Sequence, residues 1–235
     1  MDIKALQLAS RFALPPNSLG YCGRDSAPER FKSCVIHEKC DDVADEIKKF
    51  IVLYPYLKTI SSITKLPKFS HKVIEAYWLG NTTLSHVKNK DYLILLQNLA
   101  RQGVPTWLID ELKDRRPKTF IPTHLFQVLH VGVGRASGSV KYNLESINNC
   151  MIRWGVVEKM QKSTVDVVYN QLALRGGKYR LVQEKERLPF IPGFLPEVEK
   201  GDIVAAHWKQ IVKKLDDNEV QNITVWTNKV LDVIN

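Results

Sequence analysis

The chain contains no run approaching twenty apolar residues, which argues against a membrane-spanning helix. Its opening, Met1-Asp2-Ile3-Lys4, is too polar for a secretory signal. Cysteine is scarce: four residues, at 22, 34, 40 and 150, and no pair at Cys-x-x-Cys spacing. That pattern excludes a zinc knuckle and a dithiol redox motif. With no secretory segment, a cytoplasmic protein with four free thiols is the expectation. There is no internal repeat, no low-complexity tract and no Arg-rich run with interleaved aromatics.

What is present is an ordinary globular composition. The 235 residues are 44% hydrophobic and 25% charged, enough for a core of useful size. The length suits two unequal domains. The net charge is +9, of which residues 150–235 carry only +2. A basic surface of this kind suits a polyanionic partner, so a nucleic-acid-binding protein is one reading. A solvated basic surface is the simpler one.

Residues 1–149 read as helical. An apolar-periodic stretch over 2–13 ends at Leu14-Pro15-Pro16-Asn17-Ser18-Leu19-Gly20-Tyr21-Cys22-Gly23, whose prolines and glycines predict an irregular loop. Helical patterning resumes at Pro28 and runs with interruptions to about Ile60. Further helices are predicted near 70–79, 91–102, 105–115, 122–131 and 139–149, with Gly80-Asn81 and Gln102-Gly103 as helix ends.

After Cys150 the texture changes. Residues 152–159, 164–174 and 178–187 are rich in Val, Ile, Tyr and Leu and break at Gly176-Gly177, a hairpin signal. Leu188–Pro196 is loop, Gly201–Trp208 one more strand, and 216–234 a helix opened by the capping pattern Asp216-Asp217-Asn218-Glu219. The expected fold class is α+β: an all-α domain over 1–149, then a small closed, OB-like β-barrel with a C-terminal helix over 150–235.

Two motifs in the second part carry a resemblance. Cys150-Met151-Ile152-Arg153-Trp154-Gly155-Val156-Val157-Glu158 places a glycine five residues after a cysteine and leads into a strand. Gly201-Asp202-Ile203-Val204-Ala205-Ala206-His207 ends an apolar strand on a histidine and precedes an acidic-capped helix. Together, over about 85 residues, they resemble the HypC-type chaperones of [NiFe]-hydrogenase maturation. The whole chain also resembles an uncharacterised hydrogenase-associated family sharing Pro15-Pro16-Asn17, Gly20-Tyr21-Cys22-Gly23, Ile152-Arg153-Trp154-Gly155 and His207-Trp208.

The resemblance implies a small barrel, and a non-enzymatic accessory protein that holds or transfers iron with its cyanide and carbonyl ligands. The family's cysteine and histidine map onto Cys150 and His207. It also implies the hydrogenase large-subunit precursor and other maturation proteins as partners. In the chaperones the cysteine is N-terminal, whereas Cys150 is internal; Trp154 replaces the family's proline, and Arg153 puts a charge where an apolar residue is usual. The ligand chemistry is consistent: thiolate and imidazole are good donors to low-spin iron, and two protein ligands hold a cargo loosely enough to release it. Arg153, three residues from Cys150, is placed to favour the thiolate or to hydrogen-bond a cyanide nitrogen.

Other candidates are weaker. Cys22 lies in the Pro- and Gly-rich loop, where a backbone can approach a ligand. His124 and His130 are six apart on one predicted helix and do not share a face; His130 leads into Gly132-Val133-Gly134, which lacks the ending of a phosphate loop. Cys34, His37 and Cys40 have metal-ligand residue types, but 34 and 40 point to different faces of a helix. Tyr77, Trp78, Trp107 and Trp208 read as core or interdomain aromatics. An enzyme with Cys22 or Cys150 as nucleophile ranks last, because no base can be assigned.

Overall fold

A computed structural model describes residues 2–23, 27–195 and 197–235, so of the loop read over Leu188–Pro196 its last residue lies outside the described ones. The class is α+β. Helix α1 (Ile3–Ser18) starts at Asp2, whose carboxylate accepts the N–H of Ala5. It does not stop at Leu14: it continues through Pro15 and Pro16 to Ser18. Prolines inside a helix cost about 3 kcal/mol each. Here the offset is tertiary, since Leu14, Pro15, Pro16 and Asn17 are all buried. One turn earlier, the Arg11 guanidinium donates to the carbonyls of Phe194 and Val212.

The first part continues with α2 (Ala27–His37), α3 (Val43–Lys48), α4 (Leu53–Thr64), α5 (His71–Trp78), α6 (Tyr92–Arg101) and α7 (Thr106–Asp114). Helix α5 ends at Gly80 and α6 at Gly103, both at positive φ, where the sequence placed helix ends. A short α8 (His124–Phe126) passes into a π-helical turn, Gln127–Gly132, and α9 (Leu144–Cys150) follows.

The second part is a five-stranded antiparallel sheet: β1 (Arg153–Met160), β2 (Thr164–Arg175), β3 (Lys178–Pro189), β4 (Ile203–His207) and β5 (Gln210–Lys214), in the order β3-β2-β1-β4-β5. The expected closed barrel is not formed. Its edge strands β3 and β5 share no ladder; one isolated bridge, Phe190 to Ile211, is the nearest approach to closure. The reason lies in β2 and β3, which pair in register over their full twelve residues. Their far end turns to the helices instead: Tyr179 and Leu181 pack on the helical core, and the Asn235 side chain accepts from the Tyr179 N–H.

Gly155 is required by close approach. A Cβ there would lie 2.0 Å from the Val168 carbonyl oxygen across the β1–β2 ladder. The β4–β5 hairpin turns on Trp208 and Lys209, both at positive φ (47° and 58°). That pattern belongs to a tight type I′ turn, normally built from Asn and Gly, so the sequence carried no turn signal and β5 was not foreseen. Helix α10 (Asp217–Ile234) is capped by Asp216 with Glu219 as read from the sequence.

Residues 1–149 and 150–235 share one continuous hydrophobic core. Phe12, Trp78 and Phe126 from the helices join Met151, Trp154, Ala205, Val212 and Val230 in a single cluster. A smaller cluster of Val157, Val167, Tyr169, Leu188, Val204 and Ala206 lies on the other face of the sheet. No helix among the described residues is long and apolar enough to cross a membrane.

Candidate metal site

Where the helices meet the sheet, His124, Cys150 and His207 converge. One donor atom from each lies within 4.8 Å of the others, and all three residues are buried. The Cys150 Sγ is 3.8 Å from His124 Nε2. A tetrahedral centre with metal–sulfur and metal–nitrogen bonds of about 2.3 and 2.0 Å needs a separation of about 3.5 Å. The sulfur–nitrogen pair is therefore nearly at ligand spacing, and a pair at the 4.8 Å limit must close by roughly 1.5 Å.

Each donor is delivered by a different element. Cys150 is the last residue of α9, at the junction with β1. His207 ends β4, and His124 opens α8 after its N-cap Thr123, whose hydroxyl accepts the Phe126 N–H. The two imidazole centroids are 5.3 Å apart, with Trp78 against both.

His207 is oriented by the two prolines of α1. Its Nδ1 donates to the Phe12 carbonyl at 2.6 Å. In a regular helix that oxygen would accept from residue 16, or from residue 15 in a tighter turn. Both are proline and have no N–H, so the carbonyl is free to hold an imidazole. This fixes the Nδ1–H tautomer and leaves Nε2 as a lone-pair donor. His207 is 1% exposed, and its Nε2 has no hydrogen-bond partner among the described residues.

His124 is held by a relay. Its Nδ1 is 3.0 Å from the Tyr77 hydroxyl, which in turn contacts the Gln127 side-chain oxygen, and its Nε2 is 2.7 Å from the Cys150 carbonyl. Neither tautomer satisfies all three contacts, because Tyr77 has one hydroxyl proton and an unprotonated Nε2 cannot bond a carbonyl. In one, Nε2–H donates to the carbonyl and Tyr77 donates to Nδ1. In the other, Nδ1–H donates to Tyr77, Tyr77 donates to Gln127, and Nε2 is free to ligate. Gln127 thus supports the ligating tautomer, and the π-helical turn starts at this residue.

Electrostatics leave the trio uncharged without a metal. Burial pushes the His124 imidazole down to about 4. Burial, and then His124 beside it, push His207 well below the usual histidine range. Burial, and then the neighbouring Cys22 sulfur, push the Cys150 thiol well above its usual value; the Trp208 indole opposes part of the rise. The indole N–H itself meets no acceptor in bonding geometry. Two neutral imidazoles and a protonated thiol avoid the cost of buried charge. A metal cation would displace one proton, that of Cys150.

The trio faces a cavity of about 370 Å³, also lined by Tyr21, Cys22, Phe50 and Trp208. Such a volume lies in the range of small-molecule pockets and is far more than a bare ion needs. Cys22 thus joins Cys150 at one cavity. As a residue Cys22 is exposed, yet burial of its thiol pushes it up to about 12; backbone toward water and sulfur toward the cavity reconcile the two. Its carbonyl accepts from the buried Asn17 side chain, and a Cβ on Gly23 would collide with that amide.

The other sequence candidates lie elsewhere. Arg153 does not line this cavity: it lines a separate one and stacks over Tyr169 on the opposite face of the sheet, because strand alternation sends residue 153 away from Trp154. His130 bonds the Tyr92 hydroxyl at 2.8 Å, a satisfied core histidine. Cys34 and Cys40 form a disulfide, which corrects the expectation of four free thiols and removes both from any cluster with His37. Trp107 is 55% exposed, under the Arg135 guanidinium, and is no core aromatic. His124, which the sequence pairs only with His130 and sets aside, is the third donor: its partners stand 26 and 83 positions away, and no local spacing announces them.

Fold and site together define a helix-and-sheet protein with a buried Cys-His-His constellation at a ligand-sized cavity. The chain belongs to the family described as Family of unknown function (DUF6390), matched over residues 2–235. No curated protein and no solved structure matches it.

Proposed function

We propose that this protein is an accessory protein that holds a thiophilic metal fragment through Cys150, His207 and His124 and hands it on. The observation that carries the reading is the convergence of three buried donors, one of them an imidazole nitrogen without a protein partner. The donor set suits zinc or low-spin iron. Three protein ligands leave at least one position open, and the cavity beyond has room for the metal's own ligands. The HypC-type resemblance at Cys150 and His207 names the cargo as iron with cyanide and carbonyl ligands, received from and passed to hydrogenase maturation proteins.

The chain's own residues would act as follows. The Cys150 thiol loses its proton to a base outside the trio, both imidazoles being neutral already. His207 presents Nε2 while Phe12 holds its other nitrogen. His124 exchanges its bond to the Cys150 carbonyl for the bond to Tyr77, freeing Nε2. Trp78, Phe50 and Trp208 keep water from the donors.

The test has two stages. Cobalt(II) titrated into the purified protein should give a thiolate charge-transfer band that is absent in Cys150→Ser. Protein co-expressed with a hydrogenase-maturation system and purified without oxygen should show cyanide and carbonyl stretching bands that vanish in Cys150→Ala. A cobalt band with a silent infrared spectrum retains the metal site and discards the cargo; no cobalt band discards both.

A further inference from the structure

We propose that Trp208 is a positioning residue for metal loading: its indole N–H donates to the Cys150 sulfur once a metal has displaced the thiol proton. The inference deepens the metal-carrier reading and rests on it. Trp208 follows the ligand His207 directly and forms the β4–β5 turn with Lys209.

The backbone is the first observation. Trp208 has φ 47°, in the left-handed region. A bulky residue there is an outlier, and Asn or Gly would make this tight turn without strain. Strained residues persist where their surroundings over-determine them, and they cluster at functional sites. Here the surroundings are the metal site. The Trp208 backbone N–H donates to the Asn149 carbonyl at 2.7 Å, which fastens the turn to the residue before Cys150. The ring packs on Tyr21 with centroids 4.6 Å apart, tilted by 48°. The side chain lines the same cavity as Cys150 and His207 and is only 9% exposed.

The second observation is the indole nitrogen. It is buried, and its N–H meets no acceptor in bonding geometry. A buried donor without an acceptor is costly and uncommon. Its neighbour is the Cys150 thiol, whose burial-driven rise the indole partly opposes, as a donor facing sulfur does. A protonated thiol is a poor acceptor. A thiolate is charged, and hydrogen bonds to charged acceptors are shorter and stronger. The donor is therefore unmatched in the metal-free protein and matched in the loaded one. In loading, the Cys150 S–H bond breaks, its proton leaves for a base outside the trio and a sulfur–metal bond forms. Trp208 keeps its own proton and shares it with the sulfur.

The experiment compares cobalt(II) titrations of the parent protein, of Trp208→Phe, and of protein carrying benzothienylalanine at position 208. The last keeps the bicyclic ring and exchanges the N–H for sulfur, so it tests the bond even if Trp208→Phe fails to fold. Without the hydrogen bond the sulfur lone pairs rise in energy. The thiolate charge-transfer band should then move to lower energy in both variants, and cobalt should bind about tenfold more weakly. A tryptophan with only a structural role would change the denaturant midpoint and leave the band in place. In ¹⁵N-tryptophan-labelled parent protein, zinc should move the Trp208 indole proton downfield, and in Cys150→Ser it should not. The proposal is overturned if the band keeps its energy in the benzothienylalanine protein, or if zinc leaves the indole proton of the parent unmoved. A parent protein with no cobalt band sinks the metal reading and this proposal together. A parent band that stays unshifted in the variants sinks this proposal alone.

Discussion

His124 joins the site only through folding, and it is the residue whose removal is most informative. Without it the metal keeps two ligands, so His124→Ala should weaken cobalt binding more than about 100-fold, beyond the loss typical of an outer-shell change. Tyr77→Phe removes the hydroxyl that stabilises the ligating tautomer, and should weaken binding by about tenfold to 100-fold with the charge-transfer band intact. Affinity should also depend on pH in one direction. The Cys150 thiol sits far above neutral and both imidazoles are already neutral at pH 6. One proton leaves per metal, so the binding constant should rise about tenfold per pH unit between pH 6 and 8, which cobalt titrations at fixed ionic strength would check. A flat profile would mean that Cys150 is not a ligand. At the same scale, Cys34 and Cys40 should be absent from a thiol count: the denatured, unreduced protein should titrate as two thiols, not four.

At the scale of elements, the two prolines of α1 link a helix defect to an imidazole. Pro16→Ala restores an N–H opposite the Phe12 carbonyl and competes with His207 for it. The helix should gain stability, because an interior proline is disfavoured by about 3 kcal/mol. Metal affinity should fall about tenfold, and denaturant unfolding beside cobalt titration would read the two opposite changes. The β4–β5 hairpin offers a second case. Lys209 at φ 58° is strained, so Lys209→Gly should stabilise the protein by about 1 kcal/mol, seen as a rise in the denaturant midpoint without a change in slope. The segmentation of these elements was largely readable. Gly80 and Gly103 end helices, Gly176-Gly177 turns a hairpin and Asp216 caps α10, because each of those signals is local backbone chemistry. The run through Pro15-Pro16 and the turn at Trp208-Lys209 were not readable. In both places buried contacts from distant residues outweigh a local preference of a few kcal/mol.

At the scale of the molecule, three buried histidines set the response to acid. Burial holds His124 and His130 near 4 and His207 well below the usual histidine range, whereas an unfolded histidine titrates near 6.5. Between pH 6.5 and about 4 the unfolded chain therefore binds more protons than the folded one, and stability falls as pH falls. Each histidine contributes up to about 1.4 kcal/mol per pH unit, so urea midpoints should drop steeply across this window. A bound metal opposes the loss by favouring the folded state, by about 2.7 kcal/mol at a free concentration one hundred times the dissociation constant.

The sequence by itself determined the class of fold and most element boundaries, because periodicity, caps and glycine turns act over a few residues; Cys150 and His207 were singled out by the resemblance of their motifs, and the fold brings them together. The sequence did not determine whether the sheet closes, which thiols pair, that Arg153 faces away from Cys150, or that His124 completes the trio. Those follow from how α8, α9 and β4 meet in one core, and from the side of the sheet to which strand alternation sends each residue. Burial and orientation are properties of contacts between distant segments, and only the tertiary structure sets them.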